Sequence, residues 1–253
     1  MNLYGAVLAE SWMNEPPRAK AFATRLRFSQ AGHPSRQIAY QLMGVAETNP
    51  PSISDAWVMG LGTLVHAAWQ QAILGDLNRP LVLAEKKVKH PTLDASGHLD
   101  LYIDDRLYVE GKTVSGQRFR RIVGAPTHPG GKPPQQQGPL HGHRRQLALG
   151  VHSTNANEGR LTYLAMEALA KDVAYGPDRF CAEYSFSREE LATDFTDETT
   201  RLQEILDTVD NGVLPRCEHE WRYPDGFKRW PCQYCPFQTR CQQDGPNEKK
   251  MTP

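Results

Sequence analysis

Apolar and polar residues alternate over 97–113, and this pattern predicts two strands joined by a short acidic turn at Asp104-Asp105. Such a hairpin brings Asp100 and Glu110 together at one edge of a sheet. Two adjacent carboxylates repel each other unless a cation lies between them, and hard oxygen ligands suit Mg²⁺ or Mn²⁺. Lys112 follows Glu110 by two residues, so both side chains point to the same face of the strand. The pattern indicates metal-assisted phosphodiester hydrolysis, although a solvated hairpin with surface charges would show the same residues.

A second pattern, with helical spacing, runs over 54–74. Its apolar members are Trp57, Leu61, Leu64, Val65, Ala68, Trp69 and Ile73. They predict a buried amphipathic helix with Ser54 as its N-cap and His66 just off the apolar stripe. A lone histidine at such a position is more often a satisfied core or boundary residue. As a metal ligand it needs carboxylate partners, and the hairpin offers them.

The remaining pattern alternates strands and helices. It predicts strands over 81–88, 160–166 and 182–186, and a helix over 139–152. A capping box, Ser187-x2-Glu190, predicts the start of a long helix that ends near Val209, before Asn211-Gly212. This order indicates an α/β fold with a central mixed sheet flanked by helices.

Charge and composition limit the classes of function. Lys and Arg together number 29, as do Asp and Glu, so the formal net charge is zero, and no stretch approaches the ~20 apolar residues of a membrane span. A broadly basic nucleic-acid coat is therefore excluded, but a narrow DNA channel is not. Residues 116–138, rich in Gly, Pro and Gln, predict a flexible loop directly after the Glu110 strand. Candidate DNA contacts in this loop and in the following helix are Arg118, Arg120, Arg121, Lys132, Arg144 and Arg145. A solvated basic loop would look the same.

Four of the five cysteines fall near the C-terminus: Cys217, Cys232, Cys235 and Cys241. Residues 1–13 lack the basic start and apolar core of a signal peptide, so we expect a cytoplasmic protein, in which disulfides are disfavoured. Clustered thiols then indicate either Zn²⁺ or an iron–sulfur cluster. A zinc ribbon usually shows two Cys-x2-Cys knuckles and this segment has one. Because Cys217 with His219 stands where the second would be, zinc remains open.

The candidate residues occur in a recognisable order along the chain. The order is His66, Gly97-x2-Asp100, Glu110-x-Lys112, Gln146 and Cys232-x2-Cys235-x5-Cys241. It resembles the RecB-like branch of the PD-(D/E)XK nucleases and, more closely, the CRISPR-associated iron–sulfur exonucleases and their phage-encoded relatives. The ordered motifs span residues 30–241.

The resemblance implies a role for each matching residue of the active site. His66, Asp100 and Glu110 would bind the divalent metal, with the carbonyl of Gly111 as a further ligand. Lys112 would position or activate water, and Gln146 would support that lysine and the DNA. Without the resemblance, Gln146 would be taken as a polar residue on an exposed helix face.

The resemblance also implies that Cys217, Cys232, Cys235 and Cys241 hold a structural [4Fe–4S] cluster. The relatives place the first cluster cysteine just before a helix that here reads Arg36-Gln-Ile-Ala-Tyr40. No cysteine precedes this helix, and His33-Pro-Ser35 occupies the place. Cys217 is the natural replacement, and His33 is a less favoured one.

These patterns predict an N-terminal helix and linker over 1–30, a nuclease core over 31–211, an iron–sulfur lobe over 212–241 and a disordered tail over 242–253. We expect a Mg²⁺- or Mn²⁺-dependent exonuclease, cellular or phage-encoded, that acts on free, mainly single-stranded DNA ends in recombination, repair or CRISPR-adaptation-like processing. Partner proteins of those pathways and a homo-oligomer are further expectations. Two alternatives are a module that holds DNA ends without cutting and a structure-specific endonuclease of the same fold.

Overall fold

The computed structural model describes residues 25–76, 82–125, 136–166, 180–217 and 232–250. The helix predicted within 1–13 lies outside these residues, as do Lys132 and His219.

A mixed sheet forms the centre of the fold. Its strands are β1 (Leu26–Arg27), β2 (Val82–Lys89), β3 (Ala95–Ile103), β4 (Leu107–Val114), β5 (Glu158–Ala165) and β6 (Cys181–Ser187). The order is β1-β3-β4-β5-β6, with β2 paired to the other edge of β3. β4 and β5 are parallel, whereas the β2–β3, β3–β4 and β5–β6 pairs are antiparallel. The α/β fold predicted from the alternating pattern is confirmed.

The predicted hairpin is present as β3 and β4. Asp104 and Asp105 form its turn with φ of 52° and 53°, a left-handed conformation that Asp adopts more readily than most residues. The two strands pair only from Leu101↔Val109 to the turn. β1 joins the same edge of β3 at Ala95, so residues 97–100 of β3 face a gap between β1 and β4. This gap holds the candidate site.

Helices surround the sheet. Those of the described residues are α1 (Ser35–Leu42), α2 (Ile53–Asp76), α3 (Gly116–Val123), α4 (His141–His152), α5 (Ala192–Asp210) and α6 (Gln238–Asp244). α2 and α4 both contact β4, and α4 packs against α5. Ser187 and Glu190 exchange the two predicted capping bonds, but the helix itself begins at Ala192. None of the described helices is both long enough and apolar enough to cross a membrane.

Helix α2 corrects two predictions. Its cap is Ser52, which exchanges hydrogen bonds with Asp55, rather than Ser54. The helix is also less buried than its pattern predicted, because only part of its apolar set, including Trp69 and Ile73, packs against the sheet. A Cβ on Gly62 would lie 2.9 Å from Thr113 Oγ1, so α2 lies close against β4. Other bulky apolar side chains point outward, and Leu64 is 58% exposed.

The loop predicted over 116–138 is wrong in its first part, which forms α3. Ser115 caps this helix by accepting a hydrogen bond from the N–H of Arg118, and Gly124 ends it with φ of 73°. Helical spacing therefore places Arg118, Arg120 and Arg121 on a rigid element.

The prediction of a disordered tail over 242–253 is also wrong for the described part. Residues 238–244 form α6, and β8 (Lys249–Lys250) pairs antiparallel with β7 (Val213–Leu214). Leu214 and Phe237 belong to the same hydrophobic core as the main sheet, and Phe237 packs on Tyr40 of α1 with 5.3 Å between ring centroids. The C-terminal lobe is therefore continuous with the core.

Candidate active site

Asp100 fills the gap where β3 and β4 separate. Its Oδ2 accepts a hydrogen bond of 2.7 Å from the N–H of Gly111, and it lies 3.0 Å from Nε2 of His66. The carboxylate thus takes the place of a main-chain acceptor and holds β4 at the point where the ladder opens. It also draws α2, which carries His66, towards the sheet. The predicted meeting of His66 with the hairpin is confirmed.

Glu110 is 1% exposed and lies at the centre of the site. Its Oε1 accepts hydrogen bonds from Lys112 Nζ at 2.5 Å and from Gln146 Nε2 at 2.7 Å. Oε1 of Gln146 in turn accepts from Lys112 at 2.9 Å. Oε2 of Glu110 is buried and has no hydrogen-bond partner. Burying a carboxylate oxygen without a partner costs free energy, so we expect a cation or a hydrogen-bond donor to bind Oε2.

A further carboxylate, Glu85, was missed by the sequence analysis. One carboxylate oxygen of Glu85, one of Asp100 and a ring nitrogen of His66 all lie within 4.8 Å of one another. Glu85 has φ of 52°, which is unusual for a non-glycine residue within a strand. The pairing of β2 with β3 includes Ala84 and Lys86 but not Glu85. Gln70 of α2 donates to both Glu85 Oε1, at 2.9 Å, and the carbonyl of Asp100, at 3.0 Å. The positive φ is the local signal that singles out this residue, and it cannot be read from the sequence.

Close packing fixes the strand that carries Glu110 and Lys112. A Cβ on Gly111 would lie 2.6 Å from Cζ3 of Trp69, so the indole ring rests on the strand at this glycine. Only a residue without a side chain allows this approach. Ligation of a metal by the Gly111 carbonyl remains a prediction.

Tyr163 of β5 positions the helix that carries Gln146. Its hydroxyl accepts a hydrogen bond of 3.0 Å from the N–H of Leu140, at the start of α4, and lies 3.1 Å from Nδ1 of His143. Burial, together with the nearby charges of Lys112 and Arg118, lowers the pKa of His143 to about 3. The imidazole is therefore neutral, and it adds no positive charge beside the lysine.

The electrostatics of the site favour a bound cation. Burial raises the pKa of Glu110 to about 7, and the charge of Asp100 adds to this, while Lys112 opposes it. The hydrogen bond that His66 donates to Asp100 raises the pKa of His66 above its usual value, against the effect of burial. Both groups hold a proton more tightly than usual, Glu110 mainly because it is buried and His66 mainly because it donates to Asp100. A divalent ion would replace those protons.

These residues line one wall of an open cavity of about 800 Å³. Basic side chains from four strands also line it: Arg27, Lys87, His98 and Lys112. Val58 and Met59 of α2 form an apolar lip, with exposures of 50% and 56%. The cavity combines a carboxylate centre, a cationic rim and an apolar lip.

The structure gives Arg144 and Arg145 a different role from the predicted contact with DNA. Arg144 Nε donates to Asp194 Oδ2 at 2.7 Å, and Arg145 Nη1 donates to Glu198 Oε2 at 2.8 Å. Glu198 is fully buried. Both guanidinium groups therefore fasten α4 to α5. Arg121 of α3 is exposed, and Arg118 and Arg120 are half-buried, so their contact with DNA stays a prediction.

The four C-terminal cysteines lie in one lobe, and their binding of a cluster or an ion remains a prediction. Sγ of Cys217 lies 3.9 Å from Sγ of Cys241, and Cys232 and Cys235 are close enough to Cys217 for its charge to raise their pKa values, although burial is the larger cause. Within the described residues none of the four forms a disulfide. His33 bonds to Gln37 and lies near Arg201, so it takes no part in this cluster.

No family model matches this chain, and no curated protein matches it. Solved structures do. The crystal structure of SSO0001 aligns over 99% of this chain and 99% of its own, with 17% identity and a TM-score of 0.58. The alkaline exonuclease LHK-Exo from Laribacter hongkongensis aligns over 79% of this chain and 94% of its own, with 14% identity and a TM-score of 0.51. A phage-related exonuclease from Haemophilus somnus 129PT gives 13% identity and a TM-score of 0.42, over 70% of this chain and 80% of its own. At these identities the first two likenesses show the fold, which this chain shares with an exonuclease.

Proposed function

We propose that this protein is a metal-dependent exonuclease that hydrolyses phosphodiester bonds at free, mainly single-stranded DNA ends. The observation that carries the proposal is the difference between the two oxygens of Glu110. Oε1 is held by Lys112 and Gln146, whereas Oε2 is buried and has no hydrogen-bond partner, and the charges of Asp100 and His66 act on this carboxyl group. A solvated hairpin would leave both oxygens in water. The exonuclease fold of LHK-Exo supports the same conclusion.

The donor set fits Mg²⁺ or Mn²⁺. It offers carboxylate oxygens of Glu85, Asp100 and Glu110, one imidazole nitrogen of His66 and, by resemblance, the carbonyl of Gly111. Carboxylate and carbonyl oxygens suit both ions, and the imidazole is better suited to Mn²⁺. A bound ion would offset the phosphate charge and supply Lewis acidity.

Lys112 is placed to hold the attacking water. An ammonium group has three donors, and the described residues accept two of them, through Glu110 and Gln146. The third is left for a water or a phosphate oxygen. During hydrolysis the water oxygen bonds to phosphorus and loses a proton to solvent. The bond between phosphorus and the departing sugar oxygen breaks, and that oxygen takes up a proton from solvent. Lys112 orients the attacking water and stabilises charge that develops on the phosphate.

The DNA path follows the cationic rim of the cavity. Arg27, Lys87 and His98 lie along it, and the arginines of α3 extend the basic surface after β4. An apolar lip formed by Val58 and Met59, on which an unpaired base can rest, favours single-stranded ends.

We further propose that Cys217, Cys232, Cys235 and Cys241 hold a structural metal centre. By resemblance this is a [4Fe–4S] cluster, as in CRISPR-associated and phage-encoded nucleases. The 3.9 Å between Cys217 Sγ and Cys241 Sγ suits two ligands of one ion such as Zn²⁺, but among the described residues no three cysteine sulfurs lie within 4.8 Å of one another, so this distance does not favour zinc over the cluster. Iron and acid-labile sulfide, measured on anaerobically purified protein, support the cluster, and stoichiometric zinc without iron contradicts it. The proposed context remains recombination, repair or CRISPR adaptation. We also propose that the protein acts with partner proteins and as a homo-oligomer.

A substrate panel tests the exonuclease. Linear single-stranded, linear duplex and circular single-stranded DNA are incubated with the protein in Mg²⁺, Mn²⁺ or chelator. The proposal predicts metal-dependent loss of linear DNA, single strands first, with circles intact. Cleavage of circles would instead indicate an endonuclease, and binding without cleavage would indicate a module that holds DNA ends.

A further inference from the structure

A buried arginine joins the nuclease core to the C-terminal lobe. Arg36 of α1 is 2% exposed. Its Nε donates to the carbonyl of Pro215 at 2.8 Å, its Nη2 to that of Asn247 at 2.5 Å, and its Nη1 to that of Gly245. All three carbonyls lie close in sequence to the cysteines of the lobe.

The charge of Arg36 is not matched by a carboxylate. Within the described residues Arg36 forms no salt bridge, and Asp244, with a side chain 3% exposed, is already shared by Arg240 and Lys249 at 2.7 Å each. Nη1 of Arg36 lies instead 3.8 Å from Sγ of Cys241. Burying an unpaired cation is costly, so a negative charge is expected next to this guanidinium group.

The cysteines can supply that charge only as metal-bound thiolates. Four thiolates outweigh the charge of one Zn²⁺ or of an oxidised iron–sulfur core, so either centre is an anion. Four neutral thiols would leave Arg36 uncompensated.

The C-terminal strap, residues 245–250, is hydrogen-bonded to the segment that carries Cys217. The carbonyl of Pro246 accepts a hydrogen bond of 2.9 Å from the N–H of Cys217, and β8 at the end of the strap pairs with β7 just before that cysteine. Arg36 binds the strap by donating to the carbonyls of Gly245 and Asn247. One side chain therefore contacts the strap, a cysteine sulfur and the segment before Cys217.

We propose that Arg36 compensates the negative charge of a metal–thiolate centre formed by Cys217, Cys232, Cys235 and Cys241, and fastens the strap over it. This proposal rests on the metal centre proposed above, but not on the nuclease activity. Arg36 acts through its charge and its donors, and it is a positioning residue for the centre.

Metal retention tests the role of Arg36. Zinc, iron and sulfide per chain are measured after purification, and metal release is then followed after addition of EDTA. Arg36→Met removes charge and donors, Arg36→Gln keeps a donor without charge, and Arg36→Lys keeps the charge. Arg240→Met is the matched control, because this arginine lies in the same lobe and its guanidinium group donates to Asp244.

We expect the neutral variants to release metal roughly tenfold or more faster than the wild type, as for other residues that support metal ligands. Arg36→Lys should restore much of the retention, and Arg240→Met should resemble the wild type. Wild-type retention in both neutral variants would overturn the proposal. Equal loss in Arg36→Lys and Arg36→Gln would also overturn it, because the charge would then have no effect.

Two further outcomes are decided by the same measurements. If Arg36→Met fails to fold, the comparison of Gln with Lys still separates charge from packing. If the wild type holds no metal at these cysteines, both the centre and the role of Arg36 are overturned. The DNA-cleavage panel is read independently and would still test the nuclease.

Discussion

Gln146 of α4 holds Glu110 and Lys112 at once: it donates to Oε1 of Glu110 at 2.7 Å and accepts from Nζ of Lys112 at 2.9 Å. Its amide thereby sets the distance between the carboxylate and the ammonium group. Gln146→Leu keeps the approximate volume and removes both bonds. We expect kcat to fall about 10–100-fold, as for other residues that orient metal ligands. Steady-state cleavage of a linear single strand measures this, with Gln203→Leu on the exposed side of α5 as the control. Equal activity of the two variants would show that Gln146 is an ordinary helix-surface residue.

Glu85 should bind the metal. Its carboxylate lies within 4.8 Å of the ligand atoms of His66 and Asp100, and Gln70 holds it there. Glu85→Gln keeps the shape and removes the charge, so we expect Mn²⁺ affinity to fall about 10–100-fold. Titration of the metal-free protein with Mn²⁺ measures this. The matched control is Asp105→Asn, which changes an exposed carboxylate at the turn between β3 and β4 and should leave the affinity unchanged. An unchanged affinity in Glu85→Gln would remove Glu85 from the site.

Metal binding should weaken in acid. The pKa of Glu110 is raised to about 7 in the metal-free protein, and that of His66 is also raised, so both must release a proton when the ion binds. Apparent affinity should therefore increase with pH and level off above about 7, where Glu110 is ionised. Below this value protons compete with the metal.

Mn²⁺ titrations between pH 5.5 and 8.5 measure the effect. In Glu110→Gln the affinity is lower at every pH, and its slope against pH should decrease by about one proton. A pH-independent affinity in the wild type would contradict the account of Glu110.

The same raised pKa affects the stability of the metal-free protein. A carboxyl group whose folded pKa exceeds its unfolded value stabilises the fold below the unfolded pKa, and this contribution is lost as the pH rises through the folded value. For Glu110 the window runs from 4.5 to about 7. Added Mg²⁺ should therefore raise the melting temperature more at pH 8 than at pH 5, and thermal denaturation with and without Mg²⁺ measures this. An equal shift at both values would argue against binding at Glu110.

Gly111 should not tolerate a side chain. A Cβ there would lie 2.6 Å from the ring of Trp69, so Gly111→Ala should lower the free energy of unfolding by about 1–3 kcal/mol. Chemical denaturation measures the loss, and adding Trp69→Leu should recover part of it by making room. Gly75→Ala is the control, because no atom lies near its Cβ and alanine favours a helix. Similar stability of the two alanine variants would mean that Trp69 does not rest on β4.

The local patterns of the sequence predicted the catalytic hairpin well. Strand alternation fixed the face of Glu110 and Lys112, and the acidic turn fixed the register that brings Asp100 near them. The sequence could not predict Glu85, since its position depends on one positive φ in a strand whose residues otherwise look like surface charges.

Other errors came from contacts between distant segments. Arg144 and Arg145 looked available for DNA because their partners, Asp194 and Glu198, lie about 50 residues away on another helix. The polar C-terminal segment looked disordered because its order depends on α1, through hydrogen bonds that its own composition does not reveal. A helix pattern likewise gave no indication that Leu64 of α2 would stay exposed while Trp69 packs against the sheet.

The most direct test of the account is the effect of Lys112→Ala on cleavage. Wild type, Lys112→Ala and the control Lys89→Ala, an exposed lysine on β2, are mixed in excess with a labelled linear single strand in Mg²⁺, and Mn²⁺ binding is measured for each. The account predicts that Lys112→Ala binds metal and DNA but cleaves about 10²–10⁴-fold more slowly, while Lys89→Ala cleaves like the wild type. Cleavage by Lys112→Ala at the wild-type rate would contradict the catalytic role assigned to Lys112 and, with it, the proposed active site.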